Sequence, residues 1–303
     1  MSNVQVWCLG DVVVDLLPDG PQLFRQCPGG APANVAVALA RLGVRCGFIG
    51  CRGRDPFGRF MANTLHQEAV DVRYLHEDPE HLTSTVLVDL DDAGERSFTF
   101  LVQPSADQFL RVEQLPIFEA DQWLQLSSIA LAGDVTRVAA IEAMQRIKVA
   151  GGRVFFDVNI RESLWADTSL MIQQIWTALR ISDVIKVSEE EAMCLTGASD
   201  LPSALAQLVD KTGALVVVTM GEKGALVKDP QHQQLIPVNR VAQVVDSTGA
   251  GDGFVGGMLS TLLTGDDWKT IISAVERGNQ VGSYVVTQKG AMSALPSAAQ
   301  LKF

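Results

Sequence analysis

Apolar and polar positions along the chain fall into two rhythms that take turns. Short runs rich in β-branched and aromatic residues read as strands: Val4 to Leu9, Arg45 to Ile49, Trp123 to Ser127, Arg153 to Asp157, Val184 to Val187 and Leu215 to Thr219. Between them lie stretches with helical spacing, Pro32 to Leu42, Phe57 to Ala69 and Val135 to Val149, with further helices starting at Glu189 and Pro202. A repeating strand-helix-strand pattern predicts an α/β fold with a mostly parallel sheet, covered by helices on both faces and joined by right-handed crossovers.

Two places break this rhythm. Thr83 to Leu90 and Glu95 to Val102 alternate in polarity around Asp91-Asp92-Ala93-Gly94, a hairpin signal, and Val12 to Leu17 with Pro21 to Gln26 make a second strand pair. The four strands predict a small antiparallel sheet beside the core; a lid over a cleft and a plain edge extension both fit. No repeat, low-complexity tract or long linker interrupts the chain, so residues 1–303 are expected to form a single domain around one core.

Charge narrows the partners. The 303 residues carry 24 Lys and Arg against 35 Asp and Glu, a net charge of −11, and no basic tract that could track a phosphate backbone, so nucleic acid is not expected as a partner. No apolar run approaches the ~18 residues of a membrane span, and the opening Met1-Ser2-Asn3-Val4-Gln5 lacks a basic leader, so no membrane association and a cytoplasmic location are expected. Cys8, Cys27, Cys46, Cys51 and Cys194 show no C-x-x-C spacing, and the histidines form no ligand pair, which argues against a disulfide framework and a zinc site. G-x-S-x-G and P-loop motifs are absent, and no G-x-G-x-x-G follows the first strand.

The candidate chemistry lies in the glycine clusters. Pro28-Gly29-Gly30-Ala31-Pro32-Ala33-Asn34 opens a helix, with Asn34 one turn in. Val244 to Gly253 reads as the end of a strand followed by small residues and an apolar helix over Phe254 to Leu263, which leaves amide groups free to hold an anion. Asp252 beside such a cradle fits either a proton acceptor or a helix cap. Asp157-Val158-Asn159-Ile160-Arg161, Lys186 to Glu191 and Thr219-Met220-Gly221-Glu222-Lys223-Gly224 follow predicted strands, at the sheet edge where open α/β folds bind ligands.

Gly29-Gly30 with Asn34, and Asp246-Ser247-Thr248-Gly249-Ala250-Gly251-Asp252, resemble the two signatures of the ribokinase-like (PfkB) carbohydrate kinases. The likeness extends through Gly47-Phe48-Ile49-Gly50, Asp55-Pro56-Phe57-Gly58 and Thr287-Gln288-Lys289-Gly290-Ala291. Within the family, Gly10 to Asp15, Gly94 to Phe100 and Pro104-Ser105-Ala106-Asp107 are most similar to bacterial fructokinases. The resemblance implies a doubly wound α/β domain with a β-sheet lid, ATP and Mg²⁺ as cofactors, and a small-molecule sugar as partner. It implies Asp252 as the base, with the amides of Gly249, Ala250 and Gly251 stabilising the transferred phosphoryl group. Asp15, Gly30, Asn34, Phe100 and Arg161 would face the sugar. Lys186, Glu191, Thr219, Gly221, Gly224 and Asn279 would line the nucleotide region, with Glu191 reaching Mg²⁺. A monovalent cation such as K⁺ would fall to Asp246, Thr248, Thr287 and Gly290. Where many relatives carry Asn-x-x-Glu, this chain has Ser188-Glu189-Glu190-Glu191, and a hydroxyl reaches less far than an amide.

The activity expected on this resemblance is ATP-dependent phosphorylation of the primary hydroxyl of D-fructose. An aminoimidazole riboside kinase is the alternative, and a sugar-binding sensor without catalysis the reading from another class. A homodimer paired through exposed lid strands is also expected.

Overall fold

The computed structural model describes residues 4–20, 22–90, 96–238, 241 and 243–301. The chain enters through β1 (Val6–Leu9), turns out into β2 (Val13–Pro18) and β3 (Phe24–Gly29), and returns through α1 (Ala31–Arg41) to β4 (Cys46–Gly53). After α2 (Pro56–Gln67) and β5 (Asp71–Asp78) it leaves again as β6 (Ser84–Leu90) and β7 (Arg96–Phe100). The second half runs β8 (Trp123–Ser127), α3 (Asp134–Val149), β9 (Arg153–Asp157), α4 (Thr168–Leu179), β10 (Val184–Ser188), α5 (Glu189–Thr196), α6 (Leu201–Thr212) and β11 (Leu215–Thr219). A hairpin of β12 (Ala225–Lys228) and β13 (Gln233–Ile236) follows, then α7 (Ala250–Leu262) and α8 (Trp268–Val285).

Nine strands form one sheet in the order β13-β12-β11-β10-β9-β8-β1-β4-β5. Every neighbouring pair from β11 to β5 is parallel, and the closing hairpin is antiparallel. Side chains alternate between its faces: Val6 and Cys8 join the core under α1, α7 and α8, while Trp7 and Leu9 join the core under α3 to α6. Beyond β1 the order runs to β4 on one side and to β8 on the other, a reversal that opens a crevice at the carboxyl ends of these strands.

The four outlying strands do form a separate sheet, in the order β3-β2-β6-β7, but it is mixed rather than antiparallel because β2 and β6 pair in parallel at its centre. Both strands leave from the carboxyl ends of parallel strands of the main sheet, β2 after β1 and β6 after β5, so they meet running in the same direction. Val13, Val86 and Val88 make its small core, with Phe100 packed against them. The proposed turn at Asp91-Asp92-Ala93-Gly94 lies outside the described residues.

Residues 243–247 form no strand, contrary to the apolar pattern of Val244 and Val245. Both side chains are more than half exposed, and the amides of Val245 and Asp246 converge on the carbonyl of Val286. The helix after them begins at Ala250, four residues earlier than its apolar run suggests.

One carboxylate anchors the departure of the small sheet. Asp55 caps α2 by accepting from the Gly58 amide at 2.8 Å, and its other oxygen accepts from the amide and hydroxyl of Thr83, the residue before β6. The Thr83 hydroxyl in turn accepts from the Gly53 amide. Burial works against the charge of Asp55, but these donors outweigh it and hold the carboxyl below its ordinary range. An Asp55→Ala protein is expected to lose about 2–4 kcal/mol, from a lost cap and stranded donors at Thr83. Since the folded-state pKa is depressed, the charge-linked part of this stability is present at neutral pH and disappears as pH falls through the folded value. Urea melts of both proteins between pH 7 and the acid transition check this: the gap between them should narrow on acidification.

Candidate active site

The start of α7 carries the reactive geometry. Gly249 caps it in the left-handed region at φ 78°, where a Cβ would lie 2.8 Å from the Ala291 backbone. The Ala250 amide turns inward to the Ser247 carbonyl at 3.2 Å, and the Gly253 amide bonds the Gly249 carbonyl at 2.8 Å. The amides of Gly249, Gly251 and Asp252 have no carbonyl partner among the described residues and remain available to an anion at the helix terminus.

Asp252 sits in this first turn, held by Asn34, whose side-chain amide donates to its Oδ2 at 2.8 Å. Close packing of α7 on α1 makes that contact possible: a Cβ on Gly256 would come within 2.5 Å of the Ala38 Cβ. Burial raises the Asp252 carboxyl to about 6; the Asn34 bond, Lys186 and Arg161 pull it down, and Asp157 pushes it up. Lys186 reaches in from β10, its Nζ 3.0 Å from Asp157 Oδ1 and 3.4 Å from where a Gly251 Cβ would stand. Burial alone would discharge this lysine, but the carboxylates of Asp157, Glu191 and Asp252 offset it and keep the ammonium charged.

Two cavities meet at the helix start. The larger, about 790 Å³, is lined by Asp15, Gly30, Asn34, Phe100 and Arg161, and by Lys186, Thr248, Gly249, Gly251 and Asp252. Its roof is the small sheet, through Val13, Val86 and Phe100. The second, about 430 Å³, is lined by Thr219, Gly221, Gly224 and Asn279 with Ala250 and Gly251, against an apolar wall that includes Val244, Phe254 and Val286. Ser247 and Gly251 belong to both.

Four expected residues line neither cavity. Both carboxylate oxygens of Glu191 are taken by backbone amides, one from Ser188 and one from Ile160, while Ser188 Oγ accepts from the Glu191 amide. Ser188 and Glu191 thus form a capping box that also fixes the loop carrying Asn159 and Arg161. Asp246 accepts from the Thr248 and Gly290 amides at 3.0 and 2.8 Å, tying the α7 loop to the loop after α8, and the Thr287 hydroxyl donates to the Tyr284 carbonyl.

Two carboxylates in the larger cavity were not assigned from sequence. Asp11 follows β1 and Asp107 follows β7; each keeps Oδ1 buried with no hydrogen-bond partner among the described residues, as does Asn34. Asp11 looks like an ordinary strand-end residue in the sequence. The available signal was Gly30, where a Cβ would lie 2.4 Å from the Asp11 carbonyl oxygen, so that only glycine lets the two loops pack.

An anion cradle shared by two cavities, with a basic carboxylate at its side, suits transfer of an anionic group from a ligand in one cavity to a hydroxyl in the other. Residues 5–298 match the pfkB family carbohydrate kinase model, and the chain belongs to that family. It is 47% identical to a fructokinase of Vibrio alginolyticus over 300 residues, 98% of this chain and 97% of that one. The fold matches Vibrio cholerae O395 fructokinase in its fructose, ADP and calcium ion bound form, with a TM-score of 0.93 and 50% identity over 98% of this chain and 97% of that one. Aminoimidazole riboside kinase from Salmonella enterica, complexed with aminoimidazole riboside and an ATP analogue, matches with a TM-score of 0.92 and 39% identity over 98% and 97% of the two chains.

Removing the Asn34 donor by Asn34→Ala should raise the Asp252 carboxyl, because the bond favours its charged form. The acid limb of the kinase pH profile is expected to move up by roughly one pH unit, read from initial rates between pH 5 and 8.

Proposed function

We propose that this protein is an ATP-dependent fructokinase that makes fructose 6-phosphate, with residues 1–303 working as one kinase domain. The observation that carries the reading is the position of Asp252: a carboxylate of raised proton affinity at an open helix terminus, where the two cavities join. The sugar lies in the larger cavity, among Asp15, Gly30, Asn34 and Arg161 and beneath Phe100. The adenine lies against the apolar wall of the second cavity, near Thr219, Gly221, Gly224 and Asn279. Asp252 accepts the proton of the primary hydroxyl as that oxygen attacks the γ-phosphorus in line. The amides of Gly249, Gly251 and Asp252, with the Lys186 ammonium, receive the charge that spreads over the phosphoryl oxygens. The small sheet excludes water, which would otherwise compete as acceptor.

Mg²⁺ would shield the nucleotide phosphates. Among the described residues no cluster of three or more His, Cys, Asp or Glu forms a metal cage, which fits an ion held mainly by phosphate oxygens and water. A monovalent cation such as K⁺ suits the buried Asp246 carboxylate at the junction of two loops, with Thr248, Thr287 and Gly290 around it. Exposed Leu23 and Phe24 on β3 and its approach support pairing of two copies through their small sheets. ATP dependence and the free cysteines fit the cytoplasm.

Asp252→Asn is expected to lower kcat by about 10²–10⁴-fold while fructose and nucleotide still bind. Wild-type kcat/KM should fall below pH 6, as Asp252 takes up the proton that disables it as a base. ADP release measured across fructose, aminoimidazole riboside, ribose and 2-keto-3-deoxygluconate should give fructose the highest kcat/KM; a wide lead for aminoimidazole riboside would overturn the substrate assignment.

A further inference from the structure

Asp11 and Asp107 stand apart from the groups that perform transfer. They enter the sugar cleft from different parts of the fold, Asp11 from the β1–β2 crossing and Asp107 from the turn after the small sheet. Each buries its Oδ1 without a donor, and Asn34 Oδ1 in the same cleft lacks one too. Neither nearby cation hydrogen-bonds either carboxylate among the described residues: Lys186 pairs with Asp157, and Arg161, on the exposed rim, donates to the Ile160 carbonyl and acts on Asp11 only through its field. Two buried carboxylates facing one cavity without a bound cation do not both ionise freely.

Resting on the sugar-kinase reading, we propose that Asp11 and Asp107 form a carboxylate pair that holds one proton while the sugar cleft is empty and releases it to solvent when the sugar's hydroxyls dock. Hydroxyl donors supply what the two Oδ1 atoms lack, and a carboxylate that accepts such bonds favours its charged form. The proton therefore leaves the pair for the buffer; no other bond is made or broken.

The charge environment agrees. Burial, and then the Asp107 charge, raise Asp11 to about 7; Asp252 adds to the rise and Arg161 opposes it. Burial also raises Asp107, against a hydrogen bond from Ser105. Asp15 and the Asp157–Lys186 pair line the same cleft. The consequence is an enzyme whose hold on its sugar weakens on acidification, separately from any loss of the base.

Fructose titration by calorimetry into the Asp252→Asn protein tests this, since that background removes both turnover and the proton exchange of Asp252. Affinity should improve about tenfold from pH 6 to pH 8, the change expected for one proton released by a group titrating near neutrality. At pH 6 the binding heat should vary with buffer ionisation enthalpy, counting close to one proton released. In Asp107→Asn on the same background the pH dependence should shrink to less than about twofold, and Asp11→Asn should behave alike. Constant affinity and zero proton release in the Asp252→Asn protein would overturn the proposal, as would an unchanged proton count in either pair variant. If a pair variant fails to bind, the proton count of the Asp252→Asn protein decides alone. If wild type neither binds nor phosphorylates fructose, the substrate reading fails instead, and the same titration with aminoimidazole riboside decides the pair.

Discussion

The hydrogen bond from Asn34 to Asp252 joins residues 218 positions apart in the chain and fixes the position of the carboxylate to which the proposed function assigns the base role. It forms because α1 and α7 pack closely, with Gly256 on α7 where a larger residue would meet Ala38. A one-turn slip of either helix would separate the carboxylate from its donor and turn the free amides away from the cavity junction. Both helices belong to the same hydrophobic core, so sheet order, helix packing and base position are consequences of one arrangement.

That arrangement also resolves an electrostatic conflict. A chain with a net charge of −11 repels ATP at long range, and its larger cavity gathers several carboxylates. Attraction has to be local. The helix terminus contributes amide dipoles that cannot titrate, and Lys186 keeps its charge because acidic neighbours compensate for its burial. Burial, with the Asp157 charge adding to it, raises Asp252 to about 6, where on the proposed function it can accept a proton near neutrality, whereas a solvated aspartate would be a much weaker base. A neutral sugar is indifferent to the global field and gains hydrogen bonds from the local one.

Much of this was legible in the sequence, for physical reasons that differ by element. The buried parallel strands, such as Leu215–Thr219, announce themselves as continuous apolar runs, and the Asp246 to Asp252 motif marked an open helix terminus, although the helix starts at Ala250, four residues before the apolar run. β5 escaped notice because its sequence, Asp71 to Asp78, is half polar at the sheet edge. α8 escaped because Gly278 and Gly282, which its packing on α7 requires, dilute its helical signature. The mixed pairing of the small sheet depends on which edge its strands leave, which local pattern does not encode. Asp11 and Asp107 lie in segments that carried the family likeness, but their shared place in one cleft depends on the fold, which brings together residues 96 positions apart.

The small sheet therefore does more than roof the cleft. Two of the links that tie it to the rest of the domain are the short passage from β1 to β2, which carries Asp11, and the start of β6, held by Asp55 through Thr83. On the proposed function, a sugar in the larger cavity would meet Asp11 at one crossing and Phe100 on the inner face of the small sheet. Binding energy from the non-reacting hydroxyls can then be spent on holding the roof closed over Asp252, where excluding water matters most.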